Sequence, residues 1–229
     1  MNAGDILAEK RIAMNVAKLY HNLDYSILMN LGIGIPSQVS NYISNENVYL
    51  HAENGIVGVG PMATGNDVDL QLINAGRQPV TECKGCVYVD SASSFGLIRG
   101  GHVDVTVLGA FEVDQEGNVA NWIIPNGKQL GVGGAMDLIK GAKKVIIAMR
   151  HLSKNGKPKL VKKCALPITG YKEADIVVTE KGMFYFENDK VILKEIAAGT
   201  TIEDIKEHTE LDFEVAEDLK VDIFIAYVI

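Results

Sequence analysis

Three glycine clusters, placed where apolar segments end, are the sequence feature that most constrains the fold. They are residues 32–36 (GIGIP), 55–61 (GIVGVGP) and 131–135 (GVGGA). The first follows an apolar segment ending at Leu31, and the second follows one ending at Ala52. Glycine lets backbone amides approach a ligand closely, and open α/β sheets bind ligands at the carboxyl ends of their strands. The clusters therefore predict a ligand site at one edge of a sheet.

Apolar periodicity alternates between helices and strands along the chain. Helices are predicted through the first 20 residues, from Pro36 to Tyr42, at 91–99, and at 202–208 with Thr200 or Thr201 as the cap. Strands are predicted at 26–31, 48–52, 103–108, 145–149 and 176–179, and a hairpin joins 184–186 to 191–193 through Asn188-Asp189. This alternation predicts an α/β protein with an open, largely parallel sheet and flanking helices. Without a repeat or a linker, a single domain over residues 1–229 is the simplest interpretation.

Charge and hydropathy exclude several classes of partner. The formal net charge is −7, and no basic stripe is present, so nucleic acid is not expected to bind. The first nine residues lack the apolar core of a signal peptide. No apolar run approaches the roughly 18–20 residues of a membrane span, and the apolar end at 221–229 has the length of a strand or an interface segment. With only three cysteines, a cytoplasmic location is expected.

Neither a metal site nor a nucleotide cofactor is predicted. Cys83 and Cys86 form a single CxxC motif, whereas a zinc site of this type needs a second pair. We interpret Lys84-Gly85 as a turn, since the residues after Cys86 have the pattern of a strand. The five histidines are scattered singly, and no glycine cluster completes a dinucleotide or phosphate-loop fingerprint.

Glu53 is the charged residue that stands out, because it directly follows an apolar strand. A carboxylate there is partly desolvated, which is costly unless the charge is paired or used. On the residues alone, a salt-bridged or solvent-facing glutamate in a turn remains the simpler interpretation. A glutamate with an ordinary pKa of about 4.3 is ionised at neutral pH, and a carboxylate can attack an activated acyl group such as a thioester.

Several motifs occur in a fixed order through nearly the whole chain. They are 30–36 (NLGIGIP), 53–61 (ENGIVGVGP), 73–76 (INAG), 98–104 (IRGGHVD), 120–125 (ANWIIP), 133–138 (GGAMDL) and 179–180 (TE). On these motifs the chain resembles the β subunit of family I coenzyme A transferases. That family includes succinyl-CoA:3-oxoacid and acetate or butyrate:acetoacetate CoA transferases.

The resemblance implies that Glu53 is the nucleophile of a ping-pong transfer through a glutamyl-CoA thioester. It implies that backbone amides of Gly133, Gly134 and Ala135 stabilise the oxyanion. Asn54 and Gly55 shape the turn, and with Asn30, Gly32, Gly34 and Arg77 they form the expected substrate-binding set. For Arg77, binding of the acid carboxylate and a plain surface position carry equal weight. The CoA thioester is the substrate, and no further cofactor is implied.

The chain departs from the family pattern at two places. Ala52, preceded by His51, stands where the family usually has serine, and residues 125–129 carry one extra residue. Both departures concern substrate identity more than reaction type.

The family's other half is absent from these residues. The resemblance therefore implies a separate α subunit and an α2β2 heterotetramer. An acyl-CoA hydrolase and a non-catalytic ligand-binding subunit of the same fold are the alternatives.

Overall fold

The computed structural model describes residues 3–124, 128–129 and 131–222. The helices are α1 (Ala3–Lys18), α2 (Ile35–Gln38), α3 (Ser91–Arg99), α4 (Ala135–Gly141) and α5 (Ile202–Glu207), with short 3-10 helices at Val39–Asn41 and Gly65–Asp67. The strands are β1 (Ile27–Leu31), β2 (Val48–Ala52), β3 (Ile56–Met62), β4 (Val80–Tyr88), β5 (Val105–Leu108), β6 (Glu112–Asp114), β7 (Val119–Ala120), β8 (Ile123–Ile124), β9 (Lys128–Gln129), β10 (Val145–Ala148), β11 (Leu160–Val161), β12 (Ile176–Val178), β13 (Gly182–Glu187), β14 (Lys190–Ala197) and β15 (Glu214–Asp222).

These residues belong to two compact units, each assembled from separate parts of the sequence. The first unit draws on Met1–Ile12, Ala110–Val132 and Ile147–Ile229, and the second draws on Ala13–Gly109 and Gly133–Ile146. Every residue expected to act at the site, from Asn30 to Ala135, falls in the second unit. The interpretation as a single domain stays a prediction.

The second unit contains an open sheet with strand order β5-β1-β2-β3-β4. At its centre β1 runs parallel to both β2 and β5, with Asn30 opposite His51 on one side and Thr106 on the other. Strands β3 and β4 extend the sheet as antiparallel neighbours of β2. The predicted α/β class, with an open sheet and flanking helices, is confirmed, and its parallel centre brings the ends of β1, β2 and β5 to one edge.

Helices α3 and α4 pack against each other in the second unit. Asp90 caps α3 by accepting a hydrogen bond from the Ser93 amide at 2.7 Å. The Arg99 guanidinium of α3 lies 2.6 Å from the Asp137 carboxylate of α4. Gly141 permits the close approach, because a methyl group there would lie 2.2 Å from the carbonyl oxygen of Ile98.

The first unit is built around antiparallel pairing of β12, β13 and β14, with β15 parallel to β14. Asn188 and Asp189 both have positive φ, as the two central residues of a tight hairpin turn require, so the hairpin prediction is confirmed. Thr201 caps α5 by accepting from the Asp204 amide at 3.1 Å. Strand β15 is described as far as Asp222, and residues 223–229 of the predicted 221–229 segment lie outside the described residues.

The turn predicted at Lys84-Gly85 is wrong. Cys83 and Cys86 both lie within β4, where the register against β3 shifts, so the strand contains an irregularity and does not end. Within the described ranges, no group of three or more His, Cys, Asp or Glu side chains is placed to hold a metal ion. Nor does any described helix combine the length and hydropathy needed to cross a bilayer.

His151 is a fully buried titratable group in the first unit. Its Nδ1 lies 3.1 Å from the Thr179 hydroxyl and its Nε2 lies 3.0 Å from the Thr209 hydroxyl. Burial lowers the pKa of His151 from 6.5 to about 4, because the charged imidazolium loses its hydration. The folded chain therefore holds this ring neutral.

We expect His151 to make folding sensitive to mild acid. Between pH 6.5 and 4 the unfolded chain binds a proton that the folded chain refuses, so stability present above pH 6.5 is lost as the pH falls towards 4. The shift corresponds to about 3 kcal/mol. Denaturant unfolding at stepwise pH should show a shallower loss for His151→Gln than for the parent chain. His21→Gln, at an exposed histidine, should keep the parental slope, and parallel curves for His151→Gln and the parent would contradict the assignment.

Candidate active site

A tight reversal of the chain presents Glu53. Strand β2 ends at Ala52, whose carbonyl accepts a hydrogen bond from the Gly55 amide at 2.9 Å, and β3 begins at Ile56. Gly55 has a φ of 124°, a conformation open mainly to glycine. Its carbonyl accepts from the Val89 amide at 2.9 Å, and a methyl group on Gly55 would lie 2.2 Å from the Val89 oxygen. The predicted turn is therefore confirmed, and its backbone is held on both sides.

The Glu53 side chain is half-buried at this edge of the sheet. Its Oε2 accepts a hydrogen bond from Nδ2 of Asn30 at 3.2 Å. Its backbone carbonyl accepts from the Ser94 hydroxyl at 2.8 Å. Among the residues that the structure describes, no cation forms an ion pair with this carboxylate. The salt-bridged alternative thus finds no partner within that part of the chain.

A buried histidine lies behind the turn. His51 is 2% exposed, and burial lowers its pKa from 6.5 to about 4. Its Nε2 lies 2.9 Å from the Ser94 hydroxyl, and its Nδ1 lies 3.3 Å from Nδ2 of Asn30. The Asn30 amide also donates to the His51 carbonyl at 3.1 Å. Asn30, His51 and Ser94 therefore form a hydrogen-bonded set around both ends of Glu53.

The third glycine cluster reaches the same carboxylate. Gly134 stands at the N-cap position of α4, which begins at Ala135. A methyl group on Gly134 would lie 3.6 Å from Cγ of Glu53 and 3.2 Å from Cζ of Phe95. Gly133 has a φ of 49°. The structure thus brings the Gly134 backbone close to Glu53, although 81 residues separate the two in the sequence.

The structure places the other expected residues as follows. The Gly32 amide donates to the Val107 carbonyl at 2.8 Å, and Gly34, with a φ of 90°, precedes α2. Asn54 is exposed and donates to the Ile73 carbonyl at 2.7 Å, which ties the reversal to the following loop. Arg77 is exposed, with a φ of 62°, and the structure gives its side chain no contact with Glu53. Carboxylate binding by Arg77 stays a prediction.

An open cleft lies beside the turn. Its lining includes Gly32, His51, Ala52 and Gly76, but it does not include Glu53 itself. Apolar side chains of Leu31, Ile33, Leu50, Val59 and Met62 also contribute. The cleft therefore offers a mainly apolar recess beside the end of β2. The departure at residues 125–129 cannot be related to it, because residues 125–127 lie outside the described residues.

Ser94 was missed by sequence reasoning, and His51 was noted there without a role. His51 could have been found, since it is a polar residue in an apolar strand only two positions before Glu53. Ser94 lies 43 residues from His51, and no spacing rule connects a strand to a helix at that distance.

The chain is similar to known proteins over most of its length. A family model described as coenzyme A transferase matches residues 24–208. The beta subunit of the acetate CoA-transferase of Haemophilus influenzae is 49% identical over 221 residues, covering 96% of this chain and 95% of the relative. One subunit of the probable succinyl-CoA:3-ketoacid coenzyme A transferase of Bacillus subtilis is 45% identical over 192 residues, covering 83% and 89%.

Among solved structures, an acyl-CoA transferase apoenzyme from Escherichia coli O157:H7 superposes with a TM-score of 0.73 at 23% identity. The match covers 94% of this chain and 43% of that chain. At this identity the likeness concerns the fold alone.

Gly55 should be intolerant of a side chain. For Gly55→Ala we expect a loss of roughly 1–3 kcal/mol from backbone strain and a further loss from the overlap with the Val89 oxygen at 2.2 Å. Gly85→Ala is the matched control, because Gly85 also has positive φ but a methyl group there meets nothing within 4 Å. Denaturant unfolding of both variants separates strain from overlap, and equal losses would show that the close approach does not matter.

Proposed function

The chain belongs to the coenzyme A transferase family, and from this premise we propose that it is the catalytic subunit of a short-chain CoA transferase. The proposed reaction moves CoA between a short-chain acyl-CoA and a carboxylic or 3-oxo acid such as acetate, butyrate or acetoacetate. The observation that carries the proposal is the position of Glu53. Its carboxylate stands at a strand end, oriented by Asn30 and adjacent to the Gly134 backbone.

The proposed chemistry uses the Glu53 carboxylate as the nucleophile. A carboxylate oxygen of Glu53 attacks the thioester carbonyl, CoA thiolate leaves, and an acyl-glutamyl anhydride forms. The thiolate then attacks the glutamyl carbonyl of the anhydride, which releases the first acid as its carboxylate and leaves a glutamyl-CoA thioester. The acceptor carboxylate enters, and the same steps run in reverse. Charge balances at each step, so the proposal needs no separate cofactor.

Neighbouring groups have distinct proposed roles. The Asn30 amide holds Oε2 of Glu53, which leaves Oε1 as the attacking oxygen. The first amides of α4 have no acceptor within the helix, so those at Gly134 and Ala135 can stabilise the oxyanion of each tetrahedral intermediate. We assign Gly133 to the same loop.

The remaining residues are proposed to receive the substrate. Gly32 lines the cleft at the end of β1, and Gly34 has open space beside its backbone. Asn54 and Gly55 fix the turn. Arg77 is proposed to bind the acid carboxylate, since a guanidinium can hold both of its oxygens. The mainly apolar lining of the cleft is compatible with an apolar acyl chain.

The proposal includes an α subunit as partner. Both bacterial relatives are named as one subunit of a larger enzyme, which supports a complementary chain here. We propose an α2β2 assembly located in the cytoplasm.

Glu53 should become covalently linked to CoA. The chain is mixed with its α partner and butyryl-CoA or acetoacetyl-CoA without acceptor acid, reduced with borohydride and digested. Mass spectrometry is then expected to find the reduced glutamyl product at Glu53, because borohydride converts a thioester but spares a free carboxylate. Glu53→Gln should give no product. Glu46→Gln, at an exposed glutamate, should behave as the parent.

The same mixtures distinguish the alternatives. Release of CoA that does not depend on an acceptor acid, at a rate matching transfer, would favour an acyl-CoA hydrolase. An assembled complex that binds acyl-CoA yet leaves Glu53 unmodified would refute the catalytic assignment and favour a ligand-binding subunit.

A further inference from the structure

The proposed transfer leaves His51 without a role. This buried ring nevertheless lies two residues from Glu53 and forms hydrogen bonds with Ser94 and Asn30, the two residues that contact Glu53. One ring nitrogen faces Ser94 and the other faces Asn30. Those two residues in turn hold the backbone carbonyl and the carboxylate of Glu53. His51 thus connects the two residues that form hydrogen bonds with Glu53.

The direction of each hydrogen bond can be deduced. Ser94 has one hydroxyl proton, and the Glu53 carbonyl at 2.8 Å can only accept, so the proton lies on that side. The Ser94 oxygen must then accept from His51, which places a proton on Nε2 of the ring. In the neutral ring Nδ1 is consequently unprotonated, and it accepts a hydrogen bond from the Asn30 amide.

The Asn30 amide faces more acceptors than it has protons. Its Nδ2 carries two, whereas three acceptors surround it: His51 Nδ1 at 3.3 Å, the His51 carbonyl at 3.1 Å and Glu53 Oε2 at 3.2 Å. The reversed amide would set its oxygen against the carbonyl and carboxylate oxygens, so the orientation is fixed. One proton is therefore shared between acceptors.

We propose that His51 is a positioning residue for Glu53 that works through two neighbours. Through Ser94 it fixes the Glu53 backbone. Through Nδ1 it offers an alternative acceptor to the shared Asn30 proton when Glu53 is acylated. The inference rests on the transfer function proposed above.

Acylation of Glu53 changes which acceptor binds the shared Asn30 proton. The ionised carboxylate is the strongest acceptor in the set, since hydrogen bonds to charged groups are roughly twice as strong as neutral ones. Acylation removes the charge, and the shared Asn30 proton then moves towards His51 Nδ1. Because a buried donor without an acceptor is costly, this second acceptor keeps the Asn30 side chain in place throughout the cycle.

The ring must be neutral to act in this way. A protonated ring carries a hydrogen on both nitrogens, and Nδ1–H would oppose the Asn30 amide. Burial of His51, which lowers its pKa to about 4, keeps the ring neutral at neutral pH. The charged group near this ring in the described hydrogen-bond set is Glu53 itself.

The first test is nitrogen NMR of the assembled complex, with the chain labelled by 15N-histidine and His51→Gln used to assign the signal. At neutral pH we expect a proton on Nε2 and none on Nδ1. When butyryl-CoA is added without acceptor acid, the Nδ1 resonance should move towards that of a more strongly hydrogen-bonded nitrogen, while Nε2 stays. A proton on Nδ1, or an unchanged Nδ1 in a complex whose Glu53 is acylated, would overturn the proposal.

The second test is single-turnover acylation of Glu53 in two variants that each retain one half of the ring's function. His51→Asn keeps an acceptor near Nδ1, and His51→Gln keeps a donor near Nε2. Each should slow acylation on the order of 10- to 100-fold at an unchanged KM for acyl-CoA, because misplacement of a nucleophile acts on the chemical step. Ser93→Ala, at an exposed neighbour of Ser94, should react at the parental rate.

The two proposals fail in different ways. If the parent complex forms no adduct, the transfer function is refuted, and the proton position on the free complex still decides the hydrogen-bond direction. If the parent forms the adduct and folded His51 variants form it equally fast, the transfer function stands and the positioning role is refuted.

Discussion

The reversal at residues 53–55 is the constraint on which the site depends. A strand whose last residue is buried must turn within three residues to pair with its antiparallel neighbour, and the backbone bonds of Gly55 leave it little freedom. The residue after the strand is then forced to the sheet edge. Because β1 runs parallel to β2, Asn30 reaches the same edge from the adjacent strand. A carboxylate and its orienting amide are thus brought together by sheet geometry before any specific contact is made.

Helices α3 and α4 complete this arrangement by approaching the sheet edge with small residues. Ser94 at the first turn of α3 fits under the reversal, and Gly134 at the start of α4 passes close to the glutamate side chain. Larger side chains at either position would hold the helices away. The same contacts therefore stabilise this unit and build the site. Small changes in these contacts should alter both the stability of the unit and the geometry of the site.

Sequence periodicity predicted the elements with strong signals and missed those without them. The strand at Val48–Ala52 and the helix at Ser91–Arg99 were predicted to the residue, since an apolar run and a capped helix mark them clearly. Strand β3 was missed, because Gly58, Gly60 and Pro61 weaken any strand pattern. Likewise the ordered motifs drew attention to Glu53 and to the Gly133–Ala135 loop, whereas the link from His51 to Ser94 depends on topology, which one sequence does not display.

The kind of group that holds Glu53 bears on what the carboxylate can do. A lysine or arginine at 4 Å would attract it by about 4 kcal/mol at an effective dielectric of 20, and that attraction would have to be lost as the carboxylate is acylated. Asn30 is neutral, so it orients one oxygen while leaving the negative charge available. The buried His51 ring is held neutral as well, because charging it would cost the hydration that burial has removed. A carboxylate that is oriented by a neutral amide and lies near a neutral histidine keeps its charge available to attack an acyl group. A carboxylate paired with a cation instead contributes mainly to stability.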